Sequence, residues 1–219
     1  MPNMKFLLRR PWRIPEILLT RLPFFQFIRE TDDYQNRINL GIWFRQKVLG
    51  RGGNRDAYWP VSEYSQVYDA EKIRIGVDVC PGLMKGCYIQ GYGGITIGDF
   101  TQIGPNAGII SANHDPCDLR ERCSGSVTIG AYCWIGMNAV ILPGVELGDF
   151  TIVGAGAVVT RSFPQGFQVI GGNPAKTLRT LNPDQCVRHS VRRRFIGYLT
   201  EAEYLRRQGG ADRLTESGK

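Results

Sequence analysis

Through the middle of this chain an aliphatic residue returns every sixth position. The series runs Ile97, Ile103 and Ile109, then after a break Ile129, Ile135, Ile141, Leu147, Val153 and Val159. Six of these are followed at once by glycine, as Gly98, Gly104, Gly130, Gly136, Gly148 and Gly154, and a small residue usually stands four places on, as at Thr101, Ala107, Cys133, Ala139, Thr151 and Ala157. A period of six matches neither the 3.6-residue turn of a helix nor the alternation of a long strand. It suits a coil of short flat strands joined by tight turns. If each hexad is one side of a three-sided coil, the aliphatic points inward, the small residue fits near the corner, and glycine supplies a backbone conformation that a Cβ would obstruct. Successive turns then stack their aliphatics into one core and bond backbone to backbone. The ends of such a coil need covering, which gives the non-repeating flanks a structural task.

Composition sets the outer bounds. With 219 residues of which 42% are hydrophobic, the chain is long and apolar enough for one or two domains with a real core. The 27 Lys plus Arg and 20 Asp plus Glu are unevenly placed: residues 1–60 hold 11 basic and 5 acidic side chains, 61–160 hold 5 and 10, and 161–219 hold 11 and 5. Basic ends suit a phosphorylated cofactor, an anionic lipid surface or nucleic acid, or are plain solvated helix faces. No nucleic-acid-binding motif accompanies them. The six cysteines form no C-x-x-C pair and there are only two histidines, His114 and His189, so a structural zinc site is not expected. The first apolar patch, Phe6–Leu8, is cut off by Arg9 and Arg10, unlike a secretory signal, and free thiols in a reducing cytoplasm are expected. Residues 123–145 carry no charge, but their glycines, proline and hydroxyl residues argue against a membrane span.

The repeat, together with I-G-D-F-T-Q-I-G-P-N-A at 97–107, S-A-N-H-D at 111–115, W-I-G-M-N-A-V-I-L-P-G-V at 134–145, V-G-A-G-A-V-V-T at 153–160 and G-G-N-P-A-K at 171–176, resembles the hexapeptide-repeat acyltransferases. The likeness covers residues 73–181, about half of the chain, and is greatest to the acetyl-CoA-dependent O-acetyltransferases of sugars and surface polysaccharides, near the maltose and galactoside enzymes. It implies a mainly β fold, a left-handed parallel β-helix, with a basic helical flank at 1–60, the coil at 61–172, and a turn and basic helices at 173–219. It also implies acetyl-CoA as co-substrate, a carbohydrate acceptor, no metal, and a homotrimer with each active site between adjacent chains.

Chemistry is expected where the repeat breaks. Ile109 and Ile129 stand 20 residues apart, and the S-A-N-H-D-P-C-D-L-R-E-R-C-S-G-S between them fits no hexad, so a loop leaves the coil there. An isolated histidine is more often structural than catalytic. His114 sits at the interruption, however, and matches the motif histidine that serves these acetyltransferases as general base. Asp115 or a backbone carbonyl would orient its second ring nitrogen, unless Asp115 merely starts a turn before Pro116. Asn113 either holds the acceptor hydroxyl or shapes the turn. The resemblance further implies the Met137 N–H as donor to the oxyanion, Trp134, Gly136, Gly154 and Ala155 along the pantetheine arm, and Thr160, Arg161, Lys176 and Arg179 toward the nucleotide. Trp134 has packing on the outer face as its alternative. The asparagine with which relatives bind the acceptor has no counterpart in P-G-L-M-K-G-C-Y-I-Q-G-Y-G-G at 81–94, where Gln90 and Tyr92 are the substitutes.

The flanks yield coarser expectations. Pro11, Pro15 and Pro23 bar one long helix over 1–28, which either packs on the open end of the coil or touches a membrane surface. Residues 30–50 read as an amphipathic helix with Tyr34, Ile38, Ile42, Arg45 and Leu49 near one face. Asn173-Pro174 turns the chain off the last coil, and Asn182–Arg207 reads as one or two basic helices with His189 solvated among arginines. Two other functions fit the same coil: zinc-dependent CO₂ hydration, whose site resembles a three-histidine cluster and against which the two histidines, with His189 outside the coil, count, and a non-catalytic binding module.

Overall fold

The computed structural model describes residues 22–216, with side chains through residue 208. Residues 1–21, with Pro11, Pro15 and the start of the proposed membrane-contacting segment, lie outside the described residues.

The strands follow one another around three faces. The first turn comprises β1 (Gln66–Tyr68) and β2 (Ile73–Ile75), the next β3 (Tyr88–Gln90), β4 (Ile95–Ile97) and β5 (Gln102–Ile103). β6 (Gly108–Ile110) then leads into a side hairpin of β7 (Ala112–His114) and β8 (Arg122–Ser124), after which β9 (Val127–Ile129) and β10 (Trp134–Ile135) resume the coil. β11 (Val140–Ile141), β12 (Glu146–Leu147), β13 (Thr151–Val153), β14 (Val158–Val159) and β15 (Gln168–Gly171) complete it. Face one stacks β1-β3-β6-β11-β14, face two β2-β4-β9-β12, and face three β5-β10-β13-β15, all in parallel. This is the left-handed β-helix class, mainly β with short helical flanks.

The core lies on the axis. All nine aliphatics of the six-residue series are buried, at 8% exposure or less, and so are the six small residues after them. Their registers form columns: Ile89, Ile109, Ile141 and Val159 on face one, Ile97, Ile129 and Leu147 on face two, Ile103, Ile135, Val153 and Ile170 on face three. Burying each such side chain contributes about 1.5–3 kcal/mol relative to leaving it in water.

The glycines serve a different purpose from the one expected. None of the six that follow an aliphatic has a left-handed φ; a Cβ on Gly136 would instead lie 2.6 Å from Ala155 N on the next turn. Left-handed φ falls two residues further on, and at the corner between faces two and three aromatic residues adopt it: Phe100, Tyr132, Phe150 and Phe167. Their rings stack up that corner at centroid spacings of 5.2, 4.7 and 5.0 Å. Mutual ring packing offsets the backbone cost of that conformation.

Both flank expectations need correction. Residues 30–50 are not one helix: α1 (Gln26–Glu30) ends at Thr31, and α2 (Leu40–Trp43) begins only after Asn39 caps it, its Oδ1 accepting from Ile42 N, then widens into a π turn over Phe44–Val48. Tyr34 and Ile38 are buried in the intervening turn, where Asp78 of the coil accepts from the N–H groups of Gln35 and Asn36 and holds the chain out of helical form. After the coil the chain turns at Asn173-Pro174 into β16 (Lys176–Thr180), antiparallel to β15. Residues 186–194 are an extended strap instead of a helix. His189 packs on the rings of Phe100 and Tyr132, Arg188 lies over Tyr132 and Phe150, and Arg194 pairs with Asp99 at 2.9 Å. The aromatic ladder thus carries the strap back toward the first turn, where the hairpin of β17 (Phe195–Ile196) and β18 (Leu199–Thr200) packs with Tyr58 and Trp59 over the coil's open end. Only then does α3 (Glu201–Glu216) begin. No described helix is long and apolar enough to cross a membrane.

Candidate active site

The side hairpin leaves the coil at the corner between faces one and two. Its base is closed, since Gly125 N donates to Ser111 O at 2.9 Å, while buried Ser111 anchors the corner below by donating its hydroxyl to Gln90 O and accepting from Gly93 N. Within the hairpin Ala112 pairs with Ser124, Asn113 with Cys123 and His114 with Arg122. Asn113 and His114 are both exposed.

The His114 ring is held by a single bond: its Nδ1 lies 2.6 Å from the carbonyl oxygen of Leu119. A carbonyl can only accept, so Nδ1 carries a hydrogen, and in the neutral ring Nε2 presents its lone pair. Of the two orienting groups considered from sequence, the backbone carbonyl fills the role. Asp115 makes no hydrogen bond to the ring. Its Oδ1 accepts from the N–H of Cys117 at 2.7 Å and of Asp118 at 3.2 Å, the turn-starting alternative, and the first of these bonds chiefly holds its carboxyl below the usual range. Because the folded value is the lower one, its hold on the turn is present above the usual carboxylate range and lost as pH falls through the lowered value. Replacing Asp115 by alanine is expected to free the N–H groups of Cys117 and Asp118 and loosen the turn that carries the Leu119 carbonyl; faster amide hydrogen exchange in the hairpin checks this.

The other sequence candidates fall into two groups. Thr160 and Arg161 follow β14 at the same corner as His114, two turns on, with the Arg161 guanidinium over the Phe163 ring. Met137, Gly154 and Ala155 lie at the corner between faces three and one, stacked by the bond from Gly156 N to Met137 O. Trp134 stands on face three, 46% exposed and with no ring partner among the described residues. Lys176 and Arg179 are exposed on β16 of that same face, three strand spacings or about 14 Å away. Gly136 is buried against Ala155. One chain therefore does not bring His114 to Met137: the whole width of face one separates them.

Gln90 and Tyr92 lie one turn before the hairpin. Tyr92 is flanked by Lys72 at 4.8 Å and by Arg122 of the hairpin at 5.1 Å, and the Gln90 Oε1 is buried without a hydrogen-bond partner. The sequence reading missed Leu119, which acts through its main chain and leaves no trace in residue type. Among the described residues no group of three or more His, Cys, Asp or Glu gathers as a metal site, and His189 stands at a different corner from His114. The three-histidine arrangement is not assembled within the chain.

Comparison with known proteins gives the following. Residues 126–161 match the family described as "Bacterial transferase hexapeptide (six repeats)". The chain is 32% identical over 155 residues, 68% of its length and 72% of the other's, to the protein named "Putative lipopolysaccharide biosynthesis O-acetyl transferase WbbJ" of Escherichia coli K12. It is 39% identical over 92 residues, 40% of its length and 45% of the other's, to galactoside O-acetyltransferase of the same organism. WbbJ aside, the chain spans about half the length of the curated relatives it matches. A solved structure of galactoside acetyltransferase in complex with coenzyme A shares the fold, with TM-score 0.52 and 24% identity over 80% of this chain and all of that one.

Proposed function

We propose that this chain, which belongs to the hexapeptide-repeat acetyltransferase family, transfers an acetyl group from acetyl-CoA to a hydroxyl of a sugar, a nucleotide sugar or a surface-polysaccharide precursor. The observation that carries the proposal is the exposed His114 ring with Nδ1–H committed to Leu119 O, which in the neutral ring leaves the Nε2 lone pair free. An alcohol is a weak nucleophile at neutral pH; Nε2 takes its proton as the oxygen attacks the thioester carbonyl. The carbonyl π electrons move onto oxygen, and the N–H of Met137 from a second copy donates to that oxyanion. Collapse expels the coenzyme A sulfur, which takes the proton from the imidazolium, and the acetyl ester remains on the acceptor. Asn113, beside the ring, would hold the acceptor hydroxyl.

The two separated groups of candidates support an assembly in which the His114 corner of one copy meets the Met137 corner of the next. Such a head-to-tail contact between three-sided prisms closes into a ring of three. In it Trp134, Gly136, Gly154 and Ala155 line the pantetheine arm, and Lys176 and Arg179, with Thr160 and Arg161 across the gap, meet the nucleotide phosphates. The names of the relatives WbbJ and galactoside O-acetyltransferase support a carbohydrate acceptor. The basic segment at 1–28, most of it outside the described residues, would bring the enzyme to a membrane surface where lipid-linked acceptors lie.

The test is thiol release from acetyl-CoA by the full chain against a panel of sugars, nucleotide sugars and lipid-linked oligosaccharides. Acceptor-dependent release is the expected result. Release at the rate of spontaneous hydrolysis with every acceptor would overturn the reading and leave a non-catalytic binding module.

A further inference from the structure

We infer that the acceptor is a sugar carrying a diphosphate ester, and that Arg45, Arg51 and Lys85 hold its phosphates. The inference rests on the acetyl-transfer reading and names the substrate class of that site. A cavity of about 400 Å³ opens where the N-terminal flank meets the first turns of the coil, lined by these three cations with Ser62, Glu63 and Tyr64. The cations come from three separate segments: the π turn after α2, the glycine-rich turn at 51–53, and the coil corner before β3. One carboxylate faces them. Glu63 lies 3.3 Å from Arg51 and 3.9 Å from Arg45, and Lys85 has no carboxylate partner among the described residues. Two positive charges are left over, which matches a doubly charged diphosphate better than a single carboxylate or a neutral sugar.

The cluster is built on fixed parts. Buried Gln46, next to Arg45, donates to the carbonyls of Asn54 and Trp59 and accepts from Val61 N and the Tyr198 hydroxyl. The Lys85 carbonyl accepts from Asn106 N, Gly86 N donates to Tyr64 O, and the Lys85 ammonium stands 4.9 Å over the Tyr64 ring. Position relates the cavity to the chemistry. Asn106 N donates to Lys85 O, and Asn138 N donates to Pro105 O, so Lys85 and Met137 occupy one corner two turns apart, or about 10 Å. A sugar ring lying between them directs a ring hydroxyl toward the transfer site and its anomeric phosphate toward the cations. Lys176 and Arg179, proposed for coenzyme A, lie at the opposite end of the coil, which argues that these three cations serve the other substrate. A nucleoside diphosphate sugar and a polyprenyl diphosphate sugar present the same diphosphate.

The experiment is calorimetric titration of the full assembled chain with inorganic pyrophosphate, uridine diphosphate, farnesyl diphosphate and, separately, coenzyme A, for the wild type, Lys85→Met, Arg51→Met and His114→Ala. Pyrophosphate and at least one of the two esters are expected to bind in competition, with affinity falling about tenfold in Lys85→Met and in Arg51→Met, unchanged in His114→Ala, and with coenzyme A affinity unchanged throughout. Uridine diphosphate exceeding pyrophosphate supports the inference with a nucleotide sugar as source; farnesyl diphosphate exceeding it supports a lipid-linked one. Absence of pyrophosphate binding, or a loss of coenzyme A affinity in Lys85→Met, would overturn it. Should diphosphate binding persist while no acceptor releases thiol from acetyl-CoA, the catalytic reading fails and the anion site stands.

Discussion

Replacing His114 by alanine is expected to lower acetyl-CoA turnover by a factor of about 10²–10⁴, with the melting temperature of the coil unchanged. The two halves of this expectation come from the same geometry. The ring stands on an exposed hairpin and makes one hydrogen bond, to Leu119 O, so its loss removes no core contact. That bond is worth only about 0.5–1.5 kcal/mol, and it orders the loop, not the coil. The proton of the attacking hydroxyl, in contrast, is assigned to Nε2 in the proposed mechanism, and a hydroxyl attacking without a base must develop positive charge on oxygen. Comparison of kcat and the acetyl-CoA KM in the variant separates the two substrates' roles: kcat falls while KM holds, because coenzyme A is assigned to residues elsewhere. Wild-type turnover in His114→Ala would remove the mechanism.

The second large effect is on stability. Gly136→Ala is expected to cost about 3 kcal/mol or more, whereas Gly154→Ala is expected to cost far less, although both glycines occupy the same place in the repeat. A Cβ on Gly136 would meet Ala155 N at 2.6 Å, Val153 O at 2.7 Å and the Gly154 carbonyl carbon at 2.8 Å. All of these are backbone atoms held by the ladder bond from Gly136 N to Val153 O, so relief requires two turns to part. On Gly154 the nearest atom is Ile170 O at 3.3 Å, belonging to the last parallel strand, beyond which no full turn follows. Chemical denaturation of the two variants compares them directly. Equal stabilities would mean that the turns can separate freely and that glycine is present for another reason.

The residues that were legible from sequence are those whose role repeats. Ile97 through Val159 announce themselves by period because every turn asks the same question of the same position, and all are buried. The hairpin was legible as a failure of that period between Ile109 and Ile129, and His114 stands exposed inside it. What escaped depends on contacts between parts of the chain that no local rule connects. Val187–Arg194 has enough charge to pass for a helix surface, yet rings at Phe100, Tyr132 and Phe150 dock it as a strap. The split at Asn39 depends on Asp78, more than thirty residues onward, capturing two N–H groups. Arg45, Arg51 and Lys85 are ordinary surface cations until folding gathers them around one cavity. Leu119 contributes an atom that every residue possesses.

The Ser111 carbonyl and the Gly125 amide meet at 2.9 Å as though the residues between them had been cut out. Seen from the apolar axis, the excursion is a detachable cassette: the stacking above and below is complete at its two hinges, whatever their spacing along the chain. A chain built on this prism can therefore lengthen, shorten or rewrite the insert without renegotiating the interior, and whatever the insert presents to solvent can change while foldability is left alone.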